Sequence, residues 1–552
     1  MKPLLFALTF VVALGVETAS AQDRDLDCLV PPKIKRASHR TALENGLKAN
    51  EGFKRCGRYV AGWLAHADKE TGLIPRNLKQ ALWNARDSAA DNYPFMVLTA
   101  AIVDRPLFVG TMHDMLRTEI ALTSRVDSLP DTYSFETKGF RDETPDMGRI
   151  LFGASEYIKD GLLPLTEWLG PSPWSIRMLS ILDDMWKHAP VETPHGPIVS
   201  TNVEVNGEML QTLARVHFMT GDDKYLDWAV RLGDYYLLGK NHPTRDFQNL
   251  RLRDHGCEIV SGLCELYAAV HFARPEKKKA YHEPVHAMLD RILEVGRNEH
   301  GLFYNSINPQ KLAPGKGIAD TWGYTLNGFY TVYLIDGTEP YRVACLEALD
   351  CLYDNYRNYK WEGDSSDGYA DSIESALNLY NREPVASAAE WIDTETAVMW
   401  GKQKEDGVIE GWHGDGNFAR TTIMYCLWKT AGVTIRPWRD DVIVGADLGK
   451  QDLAIIVRAE KAWKGTLIFD GPRHKTVLKL PIDWPRINQF PEWFTVEETM
   501  TYSVRHGIER KNVVIMSETK HAGKDLLRGM PIDLEAGETM LINVSDNRGR
   551  HR

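Results

Sequence analysis

From about residue 40 to residue 432 the apolar positions recur with a helical period, broken at intervals by turn residues. Two kinds of helix alternate. One is amphipathic with a charged outer face, as in "PEKKKAYHEPVHAMLDRILEVGR" (275–297), "EPYRVACLEALDCLYDNYRNYK" (339–360) and "KYLDWAVRLGDYYLLGK" (224–240). The other is almost free of lysine and follows a polar, glycine-containing loop. Its members begin near Asp87, Asn202, Asp254, Asp320, Asp371 and Asn417, with a further one within 143–169. These starts recur at roughly 50–65-residue intervals without identity between them, which predicts a repeated hairpin of one outer and one inner helix. Solvated helices alternating with enclosed ones predict a mainly α, (α/α)6-type toroid, with the hairpin number open between six and seven.

After "RPWRDD" (436–441) the texture changes. "VIVGADLG", "LAIIVRAE", "GTLIFDG", "TVLKLP", "TMTYSV", "NVVIM" and "TMLINV" are short, rich in strand-forming residues and separated by turn residues, which predicts a C-terminal antiparallel β-sandwich. "LPIDWPRINQFPEWF" (480–494), full of Pro and Trp, is expected as a long loop, and the sandwich as a brace for the toroid. The expected division is a toroid over 22–437 and a β domain over 438–552.

Within the lysine-poor helices the polar residues fall in stripes. In "RLRDHGCEIVSGLCELY" (251–267), Asp254, Glu258, Ser261 and Glu265 share one face, opposite Ile259, Leu263 and Leu266. Glu204, Glu208, Gln211 and Arg215 align in the same way, as do Asp320, Tyr324, Asn327 and Thr331, and Asp371, Ser375 and Asn378. Solvated faces are normally filled with long charged side chains. Segment 254–273 has no Lys or Arg, and 319–335 has one charge, Asp320. Stripes of this kind are expected to line an enclosed lumen, where buried polar groups satisfy one another. Glu265 and Arg215 lie deep in their helices and are expected in a packed ionic network.

The helix starts carry the candidate chemistry, because several hairpins converge there on one rim. Asp254, His255, Glu258, Glu204 and Asp320 are the candidate catalytic residues. Arg86, Asp91, Tyr93, Asn202, Arg253, Trp322, Tyr324, Asp371, Trp412, His413 and Asp415 are the candidate substrate contacts. Trp, His and Asp in the Gly-rich loop "GWHGDGNF" (411–418) offer a stacking platform with directional hydrogen bonds, as a sugar subsite requires.

Composition narrows the classes. The net charge of −11 comes from interspersed signs and shows no basic stripe, against a nucleic-acid partner. Lys2, the apolar run "PLLFALTFVVALGV" and the small residues of "ASA" (19–21) read as a signal peptide over 1–21, and no later run is long enough for a membrane span. The protein is expected to be exported, to the periplasm or beyond the cell. Of seven Cys, Cys28 and Cys56 are a plausible pair; Cys257 and Cys264 lie about 10 Å apart along one helix, too far to bridge. CxxC does not occur, and neither a metal site nor a cofactor is expected.

Export signal, alternating hairpins, acidic inner-helix starts and β tail together resemble the six-hairpin glycosidase superfamily, which includes unsaturated glucuronyl hydrolases and β-L-arabinofuranosidases. "QFPEWFTVEE" (489–498) and "GMPIDLEAGETMLINV" (529–544) are similar in texture to the tail of the arabinofuranosidases. The zinc-bound Cys-Cys pair of that group is absent, so neither metal nor thiolate nucleophile follows from the resemblance. It implies a secreted enzyme acting on an oligo- or polysaccharide. Glycoside hydrolysis needs one protonated carboxyl and one carboxylate, and the rim is rich in acids. Arg86, Arg251 and Arg253 point to a uronic acid in the substrate. The alternatives are a polysaccharide lyase, with Tyr93, Tyr324, His255 or His413 as base and Asn202 among the neutralising groups, and a non-catalytic glycan-binding protein.

Overall fold

The structure, a computed structural model, describes residues 36–449, 452–510 and 513–546. The signal segment 1–21 and Cys28 lie outside the described residues, as does the side chain of His255.

Among the described residues fourteen helices form two concentric rings. The inner ring comprises α2 (85–103), α4 (147–169), α6 (Val203–Thr220), α8 (Glu258–Ala273), α10 (Trp322–Asp336), α12 (Ser366–Tyr380) and α14 (Asn417–Lys429). The outer ring comprises α1 (Arg36–Ala65), α3 (105–123), α5 (Pro173–Lys187), α7 (223–238), α9 (Pro275–Gly296), α11 (Glu339–Tyr356) and α13 (Ala386–Trp400). Each inner helix packs on the next, and α14 returns to α2, so seven hairpins close the toroid. The first of them, α14 with α1, joins the two ends of the helical region. No described helix is long and apolar enough to cross a membrane.

The connections explain the polarity of the ring. Inner-to-outer turns are short. Pro in the first turn starts α3, α5, α9 and α11, where a missing N–H is harmless, and left-handed Gly221 and Gly337 end α6 and α10. The longer outer-to-inner loops gather at the other end. There Asn84, Asp146, Asn202 and Ser365 cap inner helices by accepting backbone N–H bonds. With Ser365 as its cap, α12 starts at Ser366, five residues before Asp371, so most of the polar stretch "EGDSSDGYADS" (362–372) is helix.

Polar stripes on the inner helices face the enclosed axis: Glu258, Ser261, Glu265, Asn327, Thr331, Ser375 and Asn378 are all buried. Arg215 holds Glu265 with two hydrogen bonds, at 2.9 and 2.5 Å. Helices α6 and α8 approach through facing glycines: a Cβ on Gly207 would lie 2.5 Å from the backbone of Glu258, and one on Gly262 2.5 Å from the Gly207 carbonyl. Gly→Ala in a helix ordinarily stabilises by about 1 kcal/mol. Here Gly262→Ala is expected to destabilise by about 1–3 kcal/mol through overpacking, read as a lower urea midpoint.

The β region has two antiparallel sheets. With β1 (Thr434–Arg436), β2 (Val442–Leu448), β3 (Asp452–Ala459), β4 (Trp463–Ile468), β5 (Thr501–Arg510), β6 (Val513–Ala522), β7 (Met530–Leu534) and β8 (Thr539–Asp546), the orders are β2-β3-β8-β5-β6 and β7-β4-β1. "TVLKLP" is not a strand. A short helix, Arg473–Thr476, leads into a loop, and Leu478 and Leu480 pack with Trp484 against Ala268 of α8. The alternating apolar residues that resemble a strand serve docking instead.

That loop enters the toroid from the end opposite the helix starts. Trp484 Nε1 donates to Glu265 at 3.0 Å, and Arg486, fully buried, pairs with Glu167 of α4 at 2.8 Å. At the tip Asn488 bonds three inner helices: its N–H donates to Glu374 (2.6 Å), its amide to Asp160 (2.7 Å), and its oxygen accepts from Arg420 (2.9 Å). The β domain therefore closes one end of the ring and leaves the acid-rich end as the mouth.

Candidate active site

At the mouth the helix starts and loops bring carboxyl groups from all seven inner helices or the loops before them into electrostatic contact. Around the axis run Asp87 and Asp91 (α2), Asp415 (before α14), Asp367 and Asp371 (α12), Asp320 (before α10), Glu258 (α8), Glu204 and Glu208 (α6) and Asp160 (α4). Three cationic groups stand among them. His413 Nε2 lies 3.6 Å from Asp91 and 3.8 Å from Asp87, while Nδ1 donates to the Gly414 carbonyl. Lys159 Nζ bridges Asp160 (2.8 Å) and Glu258 (2.6 Å). Arg420 pairs with Asp371 (2.6 Å) and Glu374 (2.9 Å), and the Tyr324 hydroxyl, with one proton to donate, lies 2.9 Å from each carboxylate.

Burial and crowding set the protonation states. Asp91 rises to about 7, chiefly through burial, with His413 opposing and Asp160 and Asp87 adding. Burial and then Asp371 raise Asp320 to about 8, against Arg253. Asp371 rises only to about 6, because Arg420 and Tyr324 offset burial and the charge of Asp367. Glu208 and Asp415 are pushed well above the carboxylate range by burial and neighbouring acids. Asp87 goes the other way: His413 and Arg76 outweigh its burial. Burial disfavours the charge on His413, but Asp91 and Asp87 overcome it and raise the imidazole to about 9.

Accessibility separates these groups. Among the acids with raised pKa values near neutrality, Asp91 and Asp371 keep 18% and 17% of their side chains exposed, whereas Asp320 keeps 6%. Asp415 feels the charge of both accessible groups. A cleft of about 660 Å³ adjoins them, lined by Asp367, His413, Asp415, Glu362 and Trp412, a residue 85% exposed.

The other candidates divide by helix face. Tyr93 and Trp322 follow Asp91 and Asp320 by two positions and so point away from the axis. Tyr93 donates to the Met112 carbonyl and Trp322 to Ser372, both in the core, which removes them from the mouth. Tyr324, four positions after Asp320, returns to the lumen face. Asp254 has a left-handed backbone (φ 53°) and gives its carboxylate to Arg251 at 2.7 Å. Glu258 is buried and committed to Lys159 and Gln211. Glu204 is half-buried at the mouth, beside the exposed helix cap Asn202. Arg253 pairs with Glu362 (2.6 Å) and approaches Asp320 (3.6 Å), so it serves neighbouring acids. Arg86 stays 52% exposed, over the Phe152 ring.

Asp160, Lys159, Asp367, Arg420 and Asn488 belong to this network without having been singled out from the sequence. A signal existed for Asp367, one turn before Asp371 on the same face once α12 begins at Ser366. Asn488 has none, its partners Arg420, Glu374 and Asp160 lying 68, 114 and 328 residues away. Asp87, Asp91 and His413 have ligand atoms within 4.8 Å of one another, as do Glu156, Asp160 and Glu208. In the first group a protonated His413 already supplies positive charge, and in the second Lys159 holds Asp160.

No family model and no curated protein matches the chain. Solved structures do. A family 76 glycoside hydrolase from a bovine Bacteroides thetaiotaomicron strain is 14% identical over 57% of this chain and 76% of its own, with a TM-score of 0.39. The GH76A alpha-1,6-mannanase from Salegentibacter sp. HEL1_6 is 10% identical over 56% and 95%, at 0.40. A family 88 glycosyl hydrolase from Bacteroides vulgatus is 13% identical over 50% and 89%, at 0.36. These values assign the chain no substrate.

Proposed function

We propose that this protein is an exported glycoside hydrolase acting on an oligo- or polysaccharide that contains uronic acid, with Asp91 as proton donor and Asp371 as the ionised carboxylate. The observation that carries this reading is a pair of accessible carboxyls on one rim, both raised by burial, of which Asp371 is the one bonded by an arginine and a tyrosine. Asp91 and Asp371 both face the mouth, yet Asp91 holds its proton to about 7 while Arg420 and Tyr324 hold Asp371 to about 6. One protonated and one ionised carboxyl are what glycosidic cleavage requires. Asp91 would protonate the leaving oxygen, and Asp371 would activate water or attack the anomeric carbon. Trp412 offers a sugar-stacking face in the adjoining cleft.

The same electrostatics weigh against the lyase alternative. Abstraction of a proton α to a uronate needs an unprotonated base. Burial holds the Tyr324 hydroxyl well above its ordinary value, His413 is cationic below about 9, and Tyr93 lies in the core. A purely glycan-binding role leaves unexplained why so many acids are crowded and desolvated around one opening.

Activity should rise through pH 6 as Asp371 ionises and fall above pH 7 as Asp91 loses its proton, giving a narrow bell in kcat/KM. Asp91→Asn should abolish the alkaline limb in the residual rate. Mass spectrometry of products from a panel of uronate-containing oligosaccharides decides the reaction. A gain of one water per cut supports hydrolysis; products without added mass and with a new ultraviolet absorbance mean elimination and overturn it.

A further inference from the structure

A second cleft, of about 450 Å³, opens beside the ring between the starts of α2 and α4. Its lining includes Arg76, Arg86, Arg141 and Arg149 but only two carboxylates, Asp87 and Asp131. Both carboxylates are already matched: Asp87 takes Arg76 at 2.5 Å, and Asp131 takes Arg125 at 2.8 Å and Arg149 at 3.1 Å. Arg125 is not part of the lining. Arg141 and Arg149 both reach the exposed Asp142, at 2.9 and 2.7 Å, while Arg86 stacks on Phe152, lies 3.9 Å from Asp87 and feels the charge of Glu156 from outside the lining. The cleft thus presents guanidinium donors in excess of the acids that face it. Such planar donors suit a carboxylate or a sulfate.

The 660 Å³ cleft is its electrostatic opposite. Glu362, Asp364, Asp367, Glu410 and Asp415 face Lys402, Lys404 and His413 there. The two clefts meet at the His413–Asp87–Asp91 group, because Asp87 lines the first, His413 lines the second, and they lie 3.8 Å apart. A chain laid across both would meet a basic half and an acidic half on either side of Asp91.

We infer that the arginine cleft is a subsite for a sugar carrying an anionic group, a carboxylate or a sulfate ester, and that this charge fixes the direction in which the glycan lies across the ring. The inference rests on reading the ring as the glycan-cleaving centre, but the recognition itself is separable from cleavage. An anion entering the acidic half meets repulsion; in the basic half it gains charge-assisted hydrogen bonds from Arg86 and Arg141. Orientation then follows from charge, and the sugar with the anion sits on the Arg86 side of the scissile bond.

The test is calorimetric titration of the full chain with D-glucuronate, glucose 6-sulfate and glucose at low ionic strength. One or both anions should bind and glucose should not, with affinity falling as salt is added. Arg86→Ala and Arg141→Ala should each weaken anion binding about tenfold or more, which is what losing one charge-assisted hydrogen bond amounts to. Preference for glucuronate identifies a uronate subsite, and preference for the sulfate ester a sulfated one. Absence of binding by both anions, or equal binding to wild type and both variants, overturns the inference. Loss of hydrolysis on every glycan with anion binding intact would instead sink the enzymatic reading and leave this site standing.

Discussion

Asp371→Asn should lower kcat on a cleavable glycan by about 10³-fold or more, with the circular dichroism spectrum and the shape of the thermal transition retained. A positioned acid or base contributes typically about 10²–10⁴-fold, and a carboxylate that also stabilises developing charge contributes at the upper end. Asn keeps the size of the side chain and can still meet Tyr324, but it carries no charge for Arg420 to hold. Asp91→Asn should give a loss of about 10²–10⁴-fold by removing the transferable proton, and activated leaving groups should recover much of it. Full activity in both variants would remove the pair from the mechanism. Full activity in Asp91→Asn alone would transfer the acid role to another raised acid of this rim, Asp320 first, which is held at about 8.

Arg486→Ala should destabilise the protein by about 3–5 kcal/mol, the usual consequence of leaving a buried partner unpaired. Arg486 is fully buried and holds Glu167 of α4 at 2.8 Å and Asp483 at 2.7 Å. Without it Glu167 remains charged in the closed end of the toroid, or takes up a proton at a price in stability. Arg486→Met combined with Glu167→Met should recover most of the loss, because two apolar groups replace the buried pair and Asp483, partly exposed, keeps Arg382 at 3.1 Å. Urea denaturation of the single and double variants measures this directly. Equal destabilisation in both would mean that the loop docks by shape rather than by charge. The single variant should also lose activity below its melting temperature. Arg486 anchors the loop whose tip, Asn488, bonds Glu374, Asp160 and Arg420, and Arg420 in turn fixes Asp371.

These two expectations involve parts of the chain that differ in how far they could be read beforehand. The alternation of lysine-rich and lysine-poor helices is a local property. It reports which helices meet water, and the structure places the lysine-poor ones in the inner ring. The starts near Asp87, Asn202, Asp254, Asp320 and Asn417 fall within a few residues of observed helix starts, because capping residues and glycine loops act over a single turn. Asp371 is the exception, since Ser365 begins that helix more than a turn earlier. The polar stripes were legible for the same reason: a 100° wheel needs no tertiary information.

Protonation is another matter. Asp254 and Asp320 look alike in sequence, as acids near the start of an inner helix. Asp254 meets Arg251 on an exposed turn; Asp320 is buried against Asp371 and raised to about 8. That difference is set by neighbours from other hairpins and by how much water each retains. The same holds for Arg253, which the acids Glu362 and Asp320 occupy, and for Arg86, which they do not reach. Helix positions, ring architecture and the location of the acid rim follow from short-range patterning. The number of hairpins, the entry of the 478–496 loop and the pKa values that distinguish Asp91 from Asp371 arise from contacts between residues up to several hundred positions apart, since burial and Coulomb terms depend on distance in space.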